Sequence, residues 1–303
     1  MSVWPLSKRM DIGRLLATHI AEFLAEIPAI RDGVPEGVHN ARVASRRLRE
    51  LLPLVSERER VTQTESLITN ATRQLGTVRD LDVMIGLLDR KAAMVPAAAL
   101  AVASARRTLI GRLSHEQRAL VKALEHLDLD RLAVPSRQRH TFARSASPFR
   151  WHAPWERTLR ERLGRRAGQL HDAIAHATGI YFPNRLHSVR VAVKKLRYAV
   201  EAAAHLGAWN RPRVLKDLRK IQAGLGDLHD AEILRQRVSE LIDANVPAHE
   251  TTALIAALGA DISMLHESYL RRRGRLHLIA DVCGRDAGHA HPSRLTRALR
   301  AAS

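Results

Sequence analysis

The sequence predicts an all-α protein built as two tandem four-helix bundles. Three observations carry this: apolar residues recur at intervals of three and four, Ala, Leu, Arg and Glu outweigh alternating β-branched runs, and two stretches of the chain repeat one another. The periodicity places helices near residues 8–31, 36–56, 60–90, 96–126, 155–178, 184–206, 211–242 and 248–283, a number and length that suit two bundles.

The first helix is amphipathic, and Asp11, Arg14, His19 and Glu22 interrupt it, so it lacks the apolar core of a signal peptide. The second and the sixth open on Pro35 and Pro183 and carry the first repeated block. Residues 35–51 read PEGVHNARVASRRLREL and residues 183–199 read PNRLHSVRVAVKKLRYA, at an offset of 148. The third and seventh carry the second block, LGTVRDLD at 75–82 and LGDLHDAE at 225–232, at an offset of 150. The Ala-rich run Met94 to Ala105, which overlaps the fourth, holds Pro96 and is far short of the roughly 18 apolar residues of a membrane span. The fifth includes the dipeptide His171-Asp172, and the eighth ends at Cys283.

Two ordered matches identify a tandem duplication, with a first half at 8–127 and a second at 155–283. Between them, residues 128–154 hold Pro135, Pro148 and Pro154 and read as a linker or crossover. Residues 284–303 read as a loosely attached basic tail.

Of the 303 residues, 49 are Lys or Arg and 31 are Asp or Glu, a net charge of +18 with histidine neutral. Such a charge points to an anionic partner. Aromatic residues make up only 4%, which argues against recognition by stacking unpaired bases. The single cysteine, Cys283, excludes an internal disulfide and a thiolate metal cage; it reads as a small buried hydrophobe in a reducing, cytoplasmic compartment.

At about 100° per residue, with His39 at zero, Arg42 falls at about 300°, Arg46 at about 340° and Arg49 at about 280°. Leu48 and Leu52 lie opposite. His187, Arg190, Lys194 and Arg197 repeat the stripe in the second half, with Val189, Leu196 and Val200 opposite, while Arg47 and Lys195 sit outside it at about 80°. Like charges at this spacing cost a few tenths of a kcal/mol per pair, so the repeated ridge is expected to meet a ligand rich in phosphate or carboxylate. A pseudo-twofold relation between the halves would turn both ridges toward a common basic groove, which suits a long polyanion. Arg79, His229 and Lys220 are further candidates for cationic lining. Gly76 and Gly226 lie inside helices, where glycine costs about 1 kcal/mol, and are read as marks of close helix crossings. Asp80 and Asp230 are expected to orient basic side chains, with Arg47 and Lys195 as their partners.

Catalysis is not expected. The pairs His171-Asp172 and His229-Asp230 invite a metal-dependent phosphohydrolase reading, but Arg79 occupies the position equivalent to His229 and no arginine replaces a ligating imidazole. There is no HExxH pair, no clustered cysteine, no Gly-rich phosphate loop and no nucleophile elbow. Asp80 and Asp82, two apart on a helix, point in different directions. No metal or cofactor is implied. A nucleic-acid-binding helical protein is the main rival reading, although no helix-turn-helix, zinc finger or base-stacking motif is present.

The blocks HNARVASRRLR and HSVRVAVKKLR, with LGTVRDLD and LGDLHDAE, resemble the CHAD domain, the conserved histidine α-helical domain, over about residues 8–283. The resemblance implies two four-helix bundles with internal pseudo-symmetry, a basic cavity or groove, no catalytic activity, binding of inorganic polyphosphate and association with polyphosphate granules. By position it assigns the binding site to His39, Arg42, Arg46, Arg47 and Arg49, and to His187, Arg190, Lys194, Lys195 and Arg197. The E-x-E-x-K strand of the triphosphate-tunnel domain that some relatives carry is missing, so triphosphatase activity is not carried over.

Overall fold

The computed structural model describes residues 12–54, 58–125, 152–177 and 179–288, and their regular structure is helical with no strand. In order the helices are α1 (Ile12–Ala25), α2 (Ile27–Arg31), α3 (Pro35–Leu51), α4 (Arg58–Met94), α5 (Ala99–Glu125), α6 (His152–His176), α7 (Pro183–His205), α8 (Pro212–Leu241) and α9 (Ala248–Asp286). The expected helices are all found, and the shifts in their ends have local causes. The first is divided into α1 and α2 around Glu26, because Pro28 has no amide for the helical ladder and its ring crowds the carbonyl one turn back. Pro53 has the same effect on α3, which gives way to a 3-10 turn at Leu52–Leu54. α7 meets no such proline and runs six residues longer, 23 against 17. Both α3 and α7 start from an extended residue, Val34 or Phe182, with a proline in the first turn, where the missing amide costs nothing.

Most of the expected linker lies outside the described residues; its last three positions, 152–154, belong to α6. Of the expected tail, 284–286 continue α9, Ala287 and Gly288 form a turn, and the rest lies outside the described residues. The chain divides into two compact units, with breaks after residues 146, 225 and 265. The first unit takes α1–α5, the second part of α8 and the first part of α9; the second takes α6, α7 and the remaining parts of α8 and α9.

In the first unit, Phe23 of α1 is fully buried, as is Leu48 of α3 to within 1%. A separate core joins Leu87, Leu88, Val102 and Leu109 to Leu234, Val238, Leu254 and Leu258. Polar contacts fix the register there: the Leu100 amide donates to Glu250 at 2.6 Å, placing an acid at the positive N-terminal end of α5, and Thr108 donates to the Leu241 carbonyl at 2.9 Å. In the second unit, Leu170, Ile174, Val189, Leu196, Leu218 and Leu276 are buried on their respective helices. Cys283 is buried as expected, and burial pushes its thiol up to about 12. No helix of the described residues is long and apolar enough to cross a membrane.

Charged side chains also enter the core of the first unit, Lys91 and Glu232 among them. Lys91 is 5% exposed and lies 2.7 Å from Asp261, with the Ala257 carbonyl as a second acceptor at 3.4 Å. Removing one member of a buried pair strands the other charge, so Asp261→Ala is expected to destabilise the fold by about 3 kcal/mol in urea unfolding, and Lys91→Met/Asp261→Leu to recover most of the loss. A loss below about 1 kcal/mol would show that the pair contributes little.

Candidate functional site

The expected stripe on α3 is present. Ala41, Ala44, Ser45, Leu48 and Leu51 are buried, while His39 and Arg49 are exposed and Arg42, Arg46 and Arg47 are half-buried. Burial holds the His39 imidazole below its ordinary value, and the positive charges of Arg79, Arg42 and Arg46 lower it further, against an opposing pull from Glu36. Arg79 of α4 therefore acts at the same place as the α3 ridge. On α7, His187 and Lys195 are exposed and Arg190 and Lys194 half-buried. The His187 imidazole is lowered in the same way, by burial first and then by Arg190 and Lys194.

Arg197 departs from the stripe. It is 8% exposed, donates from Nη1 to Glu201 at 2.7 Å and from Nε to Gln222 at 2.6 Å, and its guanidinium lies 4.0 Å from the Tyr198 ring centroid. It is buried, with its Nε and Nη1 committed to partners inside the second unit, which corrects its assignment to an exposed ridge. The position equivalent to Glu201 in the first half is Pro53, so Arg49 has no such carboxylate and remains exposed. The signal was in the sequence: Glu201 stands four residues after Arg197, the spacing of a helical ion pair.

Asp80 partners Arg42, not Arg47: Arg42 Nη1 donates to Asp80 Oδ1 at 3.0 Å. Arg47 lies 3.5 Å from Glu22 of α1, whose same oxygen is 2.7 Å from His19 Nδ1. A Cβ added at Gly76 would meet only the Arg42 guanidinium, at 3.9 Å, and one added at Gly226 would meet nothing within 4 Å. Neither glycine marks a close helix crossing. The glycine that does is Gly37, where a Cβ would lie 2.8 Å from that of Ala29 in α2.

Asp230 and His229 lie half-buried on the part of α8 that belongs to the first unit, whereas Lys195 belongs to the second. Lys220 is exposed on α8 in the second unit. One acid, Glu36, escaped the sequence reading, and a second, Asp82, was weighed there only as a metal ligand. Glu36 and Asp82 both act near the first ridge; burial raises the Asp82 carboxyl, Arg79 opposes that and Glu36 adds to it, and one Asp82 oxygen is buried without a partner among the described residues. Of the His-Asp dipeptides, His171 meets Asp281 at 2.9 Å and the His277 ring. No group of three or more potential ligands that could hold a metal ion occurs among the described residues.

Fold and site together define a class, an all-α protein whose two repeated helices each carry a histidine and clustered basic side chains. The sequence matches the CHAD domain family over residues 14–239, most of its length, and the chain belongs to that family. It is similar in fold to the crystal structure of the CHAD domain from the plant Ricinus communis, with a TM-score of 0.58, 18% identity and 96% of each chain covered. PptA from Streptomyces chartreusis is also similar, with a TM-score of 0.53 and 16% identity over 91% of this chain and 97% of that one. No curated protein matches the chain.

Because a Cβ at Gly226 would meet nothing within 4 Å, Gly226→Ala is expected to stabilise the protein by about 0.5–1 kcal/mol through helix propensity alone. Thermal unfolding checks this; a fall in Tm would mean that the position needs glycine after all.

Proposed function

We propose that this chain binds inorganic polyphosphate without catalysing its breakdown, using the basic faces of α3 and α7 with Arg79 of α4. The observation that carries this reading is the clustering of Arg42, Arg46 and Arg79 about His39 and of Arg190 and Lys194 about His187, whose imidazoles are lowered by burial first and by these cations next. Such clusters accumulate anions, and a repetitive polyanion gains from each further cation it meets. Membership of the CHAD family, which is linked to polyphosphate binding in general, supports it. Binding is the whole of the proposed activity. A soluble location at polyphosphate granules follows from the ligand.

Binding should weaken steeply with salt. Arg42→Glu/Arg46→Glu, and separately Arg190→Glu/Lys194→Glu, are each expected to lower affinity for long polyphosphate by about tenfold or more and to flatten the slope of log K against log salt by about 1–2. Fluorescence anisotropy at several salt concentrations measures both. A variant that binds like the parent would remove its helix from the site.

Proton linkage gives a second test. The two imidazoles are held below their ordinary 6.5 and are largely neutral at neutral pH. A bound polyanion raises them, so protons are taken up on binding and affinity rises as pH falls, levelling off below the free-protein values. Stability moves the other way, because the unfolded chain takes up the proton first as pH drops through about 6.5. His39→Gln/His187→Gln should flatten the affinity profile between about pH 8 and 5; an unchanged profile would exclude both histidines from contact with the ligand.

A further inference from the structure

Within the first unit, α4, α5 and the second part of α8 line an open, solvent-facing cleft of about 390 Å³, in the size range of small-molecule sites. Thr77 and Leu81 of α4 and Gly111 of α5 line it, together with Arg112, His115 and Glu116 of α5 and Arg237 of α8. It is separate from the α3 ridge: at 100° per residue, Thr77 and Leu81 lie about 160–200° around α4 from Arg79.

Two features of this cleft have no explanation in the packing. Arg112, His115 and Arg237 are exposed and make no hydrogen bond or ion pair with any described residue, although they come from two helices and share one small space. Gly111 stands inside the 27-residue α5, where glycine disfavours the helix, yet a Cβ added there would meet nothing within 4 Å. The protein's own contacts do not call for glycine at this position. What glycine does is keep one wall of the cleft open.

We propose that this cleft binds a small phosphate monoester with a hydroxylated body, the chemistry shared by nucleoside monophosphates and sugar phosphates. Arg112 and Arg237 take the phosphate, for which the planar guanidinium is suited, and His115 adds a donor. Leu81 and the bare backbone at Gly111 receive the body of the ligand. Glu116 accepts a hydrogen bond from a hydroxyl and disfavours a ligand that is charged along its whole length, which separates this site from one for a polyphosphate chain.

Isothermal titration of the full chain with adenosine monophosphate, ribose 5-phosphate and inorganic phosphate tests this. One-to-one saturable binding is expected for at least one ester, about tenfold tighter than inorganic phosphate, because the body adds contacts that phosphate alone lacks. The ester that binds identifies the source. Gly111→Leu, whose Cβ meets no atom within 4 Å and whose branched end is expected to occupy the cleft, and Arg112→Gln/Arg237→Gln should each weaken it about tenfold or more, with helicity by circular dichroism and polyphosphate affinity preserved. Absence of saturable binding by either ester, binding no tighter than that of inorganic phosphate, or binding that survives Gly111→Leu would overturn the proposal. So would loss of ester binding in Arg42→Glu/Arg46→Glu with no loss in the cleft variants, which would place the esters on α3. Polyphosphate binding measured in parallel separates these outcomes from failure of the ridge reading.

Discussion

Cations on one face of a helix repel one another, and the proposed polyphosphate site depends on α3 and α7 tolerating that repulsion. The penalty is a few tenths of a kcal/mol per pair. Against it stands the burial of Leu48 and Leu51 on α3 and of Val189, Val193 and Leu196 on α7, each contributing about 1.5–3 kcal/mol. Apolar packing wins by a wide margin, so the cationic faces are held in place by the cores behind them and need no internal neutralisation. Counter-ions still shape the result. Asp80 fixes the Arg42 guanidinium, and Gly76, one turn before Asp80 on α4, leaves room beside it.

The same balance explains where the two repeats part company. Pro53 ends α3 before it reaches the position that Glu201 holds in α7, and that carboxylate with Gln222 takes Arg197 out of solvent. Glu36 accompanies the first ridge, whereas Asn184 stands at the equivalent place in the second. The duplicated helices therefore share the His39/His187 cluster of cations but differ in charge presentation at Arg49 and Arg197 and at Glu36 and Asn184.

Much of this was legible from the chain alone. Helical periodicity located every long element, because amphipathic helices of 17 to 39 residues leave strong patterns, and the repeat picked out α3 and α7. Which side chains answer each other was less legible. Asp80 lies 38 residues from Arg42, and the choice between Arg42 and Arg47 depends on the crossing of α3 and α4, which periodicity does not encode. Gly76 and Gly226 looked like packing residues because glycine is costly in a helix, whereas the glycine that packing requires, Gly37, sits in the first turn of α3, next to Pro35. Arg197 was the exception, a misplacement that its own sequence neighbourhood contained the means to avoid.

The central claim is that the arrangement of charge on α3 and α7, rather than the net charge of +18, selects the ligand. The most direct test is competition at physiological salt: labelled long polyphosphate bound to the full chain, displaced by unlabelled polyphosphate or by duplex DNA at matched phosphate concentration. The account predicts that polyphosphate displaces the label at a phosphate concentration at least about tenfold lower than DNA does. Equal displacement, or a preference for DNA, would contradict it.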